Sequence, residues 1–110
     1  MKKVLIIALV FAAVACSKKT VPAGSKTESA LSQADVERGQ AIFPDLSLTQ
    51  LQEGKKINDQ DCGRCHRVHQ PAELTEQEWR KIVPIMAKKA KIDKQAEDLV
   101  LRYVVSLSKP

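Results

Sequence analysis

The stretch Cys62-Gly63-Arg64-Cys65-His66 decides the fold of this 110-residue chain. Its two cysteines are three residues apart, so they lie on roughly one side of a helical turn. A histidine follows the second cysteine directly, which places two thiols and one imidazole within a single short segment. Groups of this chemistry at this spacing predict a site for a metal or for a covalently attached cofactor.

The spacing C-x-x-C-H is the attachment motif of c-type haem. Cys62 and Cys65 can meet the two vinyl groups of one porphyrin, and His66 is then placed to bind the iron. Two alternatives use the same residues. A dithiol redox site is disfavoured because no βαβ pattern surrounds the motif. A zinc site that adds His69 lacks the long spacer of ordinary zinc sites. The sequence therefore predicts one covalent haem c.

A second axial ligand for the iron has to come from another part of the chain. Met86 is the only methionine besides Met1, and methionine ligation raises the reduction potential relative to a second histidine. His69 is too close to His66 to reach the opposite face of the same haem. Met86 is therefore the predicted distal ligand. The alternatives are that Met86 is only a core residue and that a nearby lysine, or an open position, completes the iron site.

Residues 1–15 are typical of a bacterial signal peptide. Two lysines precede an apolar run at 4–14 that is too short to remain as a membrane span. The run ends in Ala13-Val14-Ala15-Cys16, which resembles the lipobox of bacterial lipoproteins. The resemblance implies that Cys16 is lipidated and anchors the chain to a membrane. The alternative is an ordinary signal peptide that leaves Cys16 as a free thiol.

Charge and location follow from this signal. Its removal takes away two lysines and leaves 16 basic residues against 13 acidic ones, a net charge of +3. So mild a charge, without aromatic residues interleaved among the basic ones, predicts no nucleic-acid binding. Ser17 after the cysteine resembles lipoproteins sent to the outer membrane. That resemblance implies the periplasmic side of the envelope and favours the outer over the inner membrane.

Residues 16–46 are predicted to form a lipidated N-terminus and a flexible tether, because polar and small residues dominate and no apolar periodicity is present. Residues 47–110 are predicted to form the haem domain. The predicted fold class is all-α, a small domain of about three helices around one covalent haem. A chain segment this short is near the lower limit for a self-sufficient core, so a haem would supply buried apolar area.

The three predicted helices run over 47–58, from Thr75, and over 93–108. The second begins with the capping box Thr75-Glu76-Gln77-Glu78, and Pro84 is expected to kink it or end it soon after. Asp93 is the expected N-cap of the third.

Residues 47–110 resemble the class I monohaem cytochrome c domain, in the compact form found in bacteria. In that family a helix containing a glycine precedes the motif and crosses the C-terminal helix closely. Gly54, eight residues before Cys62, and Tyr103 on the last helix match this pattern. The resemblance implies an electron carrier that exchanges single electrons with redox partner proteins. It also implies that the Pro71 carbonyl accepts a hydrogen bond from His66, although Pro71 can equally be a simple turn residue.

The chain departs from the family in three ways, one of which is that only 19 residues separate His66 from Met86, fewer than in most class I domains. Asn58 stands where the family usually has an aromatic residue, and Met86 falls on a helical pattern instead of an extended loop. A basic run follows Met86 and is either a docking surface for an acidic redox partner or a solvated face. Its members are Lys88, Lys89, Lys91 and Lys94.

The sequence contains no paired carboxylates, nucleophile triad or phosphate-binding loop, so no enzymatic activity is predicted. Electron transfer is the leading hypothesis. The alternative is a haem-based sensor or small-ligand-binding protein, which requires an open or labile sixth position at the iron.

Overall fold

The computed structural model describes residues 30–110, and this part of the chain is all-helical. The predicted signal peptide and Cys16 lie outside the described residues. No helix within 30–110 has the length and apolarity needed to cross a membrane. The elements are α1 Gln33–Gln40, α2 Leu48–Gln60, α3 Glu76–Ala90 and α4 Lys94–Ser106, with short 3-10 turns at Cys62–Arg64 and Pro71–Glu73.

The C-terminal helix α4 is the centre of the fold, because α1, α2 and α3 all pack against it. Val100, Tyr103 and Val104 recur at helical spacing and form its buried face. Side chains from the other elements complete one core around this face. The core consists of Val36, Leu46, Leu51, Trp79, Val83, Val100, Tyr103, Val104 and Val105.

The crossing of α2 and α4 is close because Gly54 has no side chain. A Cβ built at Gly54 would collide with the main-chain carbonyl of Leu99 and lie 2.9 Å from the Tyr103 Cβ. The two backbones can approach to this distance only with glycine at the crossing. The close helix crossing expected from Gly54 is therefore confirmed.

The predicted starts of α3 and α4 are confirmed by their caps. The Glu78 carboxylate accepts a hydrogen bond from the Thr75 backbone at 2.8 Å, and the Thr75 hydroxyl accepts one from the Glu78 backbone at 3.3 Å. Asp93 accepts from the Ala96 backbone at 2.8 Å. An N-cap of this kind typically contributes about 1 kcal/mol. These caps thus fix the N-terminal ends of α3 and α4.

Of the two outcomes predicted for Pro84, a kink or an early end of α3, the early end does not occur. The helix runs on to Ala90 and closes at Lys91, whose φ of 56° is left-handed. Proline removes the hydrogen bond to the carbonyl four residues earlier, that of Arg80. Pro84 and Arg80 are exposed, so this carbonyl lies on the side of the helix that water can reach.

The folded part begins earlier than predicted, which corrects the assignment of residues up to 46 to a flexible tether. Ser32 and Asp35 cap an additional helix, α1, through a 2.8 Å hydrogen bond from the Ser32 backbone. Val36 and Leu46 are each 2% exposed and belong to the core. Four helices therefore pack together where about three were predicted.

Candidate cofactor site

Residues 62–66, the predicted attachment segment, leave the end of α2 and turn toward the end of α3. Cys62 is half-buried, Cys65 is exposed, and both are free thiols. The guanidinium of Arg64 donates to the Ala90 carbonyl at 3.3 Å and lies 3.2 Å from the Asp61 carboxylate. These contacts hold the segment beside the C-terminal end of α3.

A cleft that is partly open to solvent lies between this segment, α3 and α4. An adjoining hollow of about 500 Å³ shares Cys62, His66 and Met86 with it and is also bordered by Cys65. The cleft is lined by Asn58, Cys62, His66, Val68, His69, Trp79, Ile82, Val83, Met86, Ala87, Ile92 and Val100.

The predicted site residues that the structure describes therefore lie around the same pair of hollows. They are Cys62, Cys65, His66 and Met86. Met86 is half-buried and lines both hollows from α3, on the helical face that also contains Trp79 and Val83. The core face of this helix and the cleft face are thus the same. Met86 lies within the regular helix α3. This confirms the helical position that the sequence predicted for Met86, in place of the extended loop of the family.

The proton of His66 is fixed by its neighbour. The Nδ1 atom of His66 lies 2.8 Å from the Arg67 carbonyl oxygen. Because a carbonyl only accepts, Nδ1 must carry the proton, which leaves Nε2 free to bind a metal. Pro71 does not have the role implied by the family resemblance, since the Nδ1 proton of His66 goes to the Arg67 carbonyl. The Pro71 carbonyl accepts instead from the indole of buried Trp79 at 2.9 Å.

The two alternative uses of the motif gain no support from this geometry. Burial, together with the negative charge of Asp61, raises the pKa of the Cys62 thiol above its ordinary value. Reactive dithiol sites lower the pKa of a cysteine instead. Within residues 30–110, no three His, Cys, Asp or Glu side chains form a group suited to a metal ion.

Sequence reasoning missed a polar cluster beside the cleft. His69 lies with its Nδ1 2.7 Å from the Glu73 carboxylate, and Arg67 donates to the same carboxylate at 3.1 Å. These hydrogen bonds, that from Arg67 foremost, lower the pKa of Glu73 from 4.5 to about 2. The four-residue spacing of His69 and Glu73 could have indicated this contact. It was not used because side chains at that spacing are expected to meet on a helix, and no helix was predicted there.

The Glu73 cluster predicts a loss of stability in acid. A carboxyl group with a lowered pKa in the folded state stabilises the fold fully above pH 4.5, and this contribution is lost as the pH falls toward 2. In Glu73→Gln, the unfolding free energy should therefore fall less than in the native chain when the pH is lowered from 4.5 toward 2. Denaturant unfolding at a series of pH values measures it, with exposed Glu53→Gln as the control. Identical pH dependence in Glu73→Gln and the native chain would contradict the prediction.

The chain matches no protein-family model, no curated protein and no solved structure. Residues 30–110 define a small all-helical fold with a largely apolar cleft. Two histidines, a methionine and the first cysteine of the motif border this cleft. The cleft and its lining are therefore the basis for assigning a function.

Proposed function

We propose that the protein is an exported, lipid-anchored c-type cytochrome that transfers single electrons between redox proteins and is not an enzyme. The observation that supports this most is the convergence of Cys62, His66 and Met86 on one cleft. Cys62 and His66 lie in one short segment and Met86 lies on α3. A thiol, an imidazole and a thioether together are the groups that c-type haem uses.

The lining of the cleft fits a haem. Val68, Ile82, Ile92 and Val100 present an apolar surface suited to a porphyrin. Cys62 and Cys65 would hold the haem covalently, His66 would bind its iron through Nε2, and Met86 would be the second iron ligand. When bound, haem supplies a reversible ferric–ferrous couple. The chain's own contribution is to fix the ligands and to exclude water from the cleft.

The surface next to the cleft suits a redox partner of opposite charge. Lys88 and Lys89 are exposed on the last turn of α3, and Lys89 borders the hollow that contains Cys65 and Met86. Basic groups at this position would attract an acidic partner and accelerate a weak, transient encounter. With a lipid on Cys16, we place the domain on the periplasmic side of the envelope, at the outer membrane.

The proposal is tested by the absorption spectrum of the ferrous full-length chain before and after carbon monoxide is added. A c-type haem spectrum that carbon monoxide leaves unchanged is expected, because Met86 fills the sixth position. In Met86→Ala the same treatment should shift the spectrum completely, since alanine provides no ligand. Ile85→Ala is the matched control, because Ile85 is the neighbouring residue of α3 and is 57% exposed.

Each other result has a distinct meaning. A complete shift in the native chain would show an open iron site and favour the sensor or ligand-binding function. An unchanged spectrum in Met86→Ala would mean that another residue, such as Lys89, is the ligand. A colourless native chain, made in a host that attaches haem to exported cytochromes, would contradict the proposal as a whole.

A further inference from the structure

Arg64 lies inside the motif, between the two cysteines, and connects the motif to α3. Its guanidinium donates to the main-chain carbonyl of Ala90 at 3.3 Å, although the two residues are 26 positions apart in sequence. The same guanidinium lies 3.2 Å from the carboxylate of Asp61, which directly follows α2. The planar, forked shape of a guanidinium allows both contacts at once. One side chain therefore joins the end of α2 to the end of α3.

The carbonyl of Ala90 is a favourable partner for this cation. Ala90 is the last residue of α3, and the last four carbonyls of an α-helix have no amide donor within the helix. The C-terminal end of a helix also carries a partial negative charge, which stabilises a cation placed there. The contact between Arg64 and Ala90 therefore has a physical basis in the protein alone, whatever the cleft binds.

The two residues that this contact joins are close in sequence to the two predicted iron ligands. Arg64 is two residues before His66, and Ala90 is four residues, about one helical turn, after Met86. His66, Met86 and Ala90 border the same hollow. The contact therefore restricts how far the helix that holds Met86 can move from the segment that holds His66.

We infer that Arg64 is a positioning residue that keeps Met86 on the haem iron by joining the two elements that hold the iron ligands. The inference rests on the proposed function. A movement of the end of α3 away from the attachment segment would withdraw Met86, and the contact with Arg64 opposes this movement. The Arg64 side chain is 61% exposed, so its contribution is modest. Its removal should increase the population with an open sixth position by about two- to fivefold.

The test is a titration of the ferric, haem-bound full-length chain with imidazole, which competes with Met86 for the iron and changes the absorption spectrum. The apparent dissociation constant falls in proportion as the open population rises. In Arg64→Ala it should therefore be about two to five times lower than in the native chain. Arg64→Leu also lacks the donors and should show the same decrease if the alanine variant attaches too little haem.

Arg38→Ala is the matched control for the loss of an exposed, paired arginine. The Arg38 side chain is 62% exposed and also pairs with an aspartate three residues earlier, Asp35. Both members of that pair lie on α1, so the control removes the same charge without separating two elements. Its dissociation constant should equal the native value. Arg64→Lys should give an intermediate value, because an ammonium group can still donate to the Ala90 carbonyl.

A double variant separates an effect on Met86 from a general effect on the cleft. In Met86→Ala the sixth position is always open, so adding Arg64→Ala should leave the dissociation constant for imidazole unchanged. An equal decrease in both backgrounds, or no decrease in either, would overturn the inference and leave the proposed function intact. A native chain that binds imidazole as tightly as Met86→Ala would also overturn it, since Met86 would then not be on the iron. A colourless native chain would overturn both the inference and the proposed function.

Discussion

The double variant Cys62→Ser with Cys65→Ser is expected to be exported as a colourless polypeptide with no covalently bound haem. Serine is close in size to cysteine, so the short 3-10 turn of the attachment segment should be little disturbed. Its hydroxyl does not add to a haem vinyl group as a thiol does, so neither thioether can form. Haem staining of a denaturing gel should fall to background, and the ferrous absorption bands should be lost.

The matched control for this experiment is His69→Ala. His69 lines the same cleft but is outside the attachment motif, so covalent haem should remain at the native level. The double variant should also unfold more readily than the native chain. Small domains depend on such a group for much of their buried area. Haem staining that persists in the double variant would show that the two thiols are not the attachment points.

Gly54→Ala is expected to be the most destabilising single methyl addition in the helices. On an open helix surface, this change gains about 1 kcal/mol from helix propensity. At Gly54 the new methyl group would meet the Leu99 carbonyl, whose carbon lies 2.8 Å from the Cβ position. A main-chain group cannot rotate away, so overpacking should cost about 3 kcal/mol or more. The net loss should lower the melting temperature by roughly 10 °C.

Thermal unfolding of the full-length chain, followed by far-UV circular dichroism, measures this effect. Gln52→Ala is the control, because Gln52 lies on the exposed side of the same helix and its substitution should be nearly neutral. A Gly54→Ala protein as stable as this control would mean that α2 and α4 do not cross as closely as described.

The parts of the fold that were predicted correctly depend on local signals. Thr75 and Glu78 hydrogen-bond to each other across three residues, and Asp93 caps the helix that follows it directly. Such contacts are complete within one helical turn, so the sequence alone contains them. The motif from Cys62 to His66 is local in the same sense. The meeting of this motif with Met86 at one cleft is a contact between residues distant in sequence. Helical periodicity predicted only that Met86 lies on the inward face of its helix.

The first helix could not be predicted because it depends on contacts distant in sequence. Between Gln33 and Gln40, Val36 is the only large apolar residue that the helix buries. One such residue gives no periodic pattern, so most of the stabilisation of α1 comes from packing against α4. The burial of Asn58 was not predicted for a different reason, since a polar residue on a predicted helix is normally assigned to the solvent side.

The position of α4 has a consequence for how the chain matures. Within residues 30–110, α1, α2 and α3 all pack on this C-terminal helix, so no truncated chain that stops before residue 94 can close the core. A polypeptide that emerges N-terminus first presents Cys62 and Cys65 while it is still open. An enzyme that attaches the proposed haem would therefore meet these thiols before the C-terminal helix completes the core. The order of synthesis, and not only the final structure, would then be part of how the proposed haem is acquired.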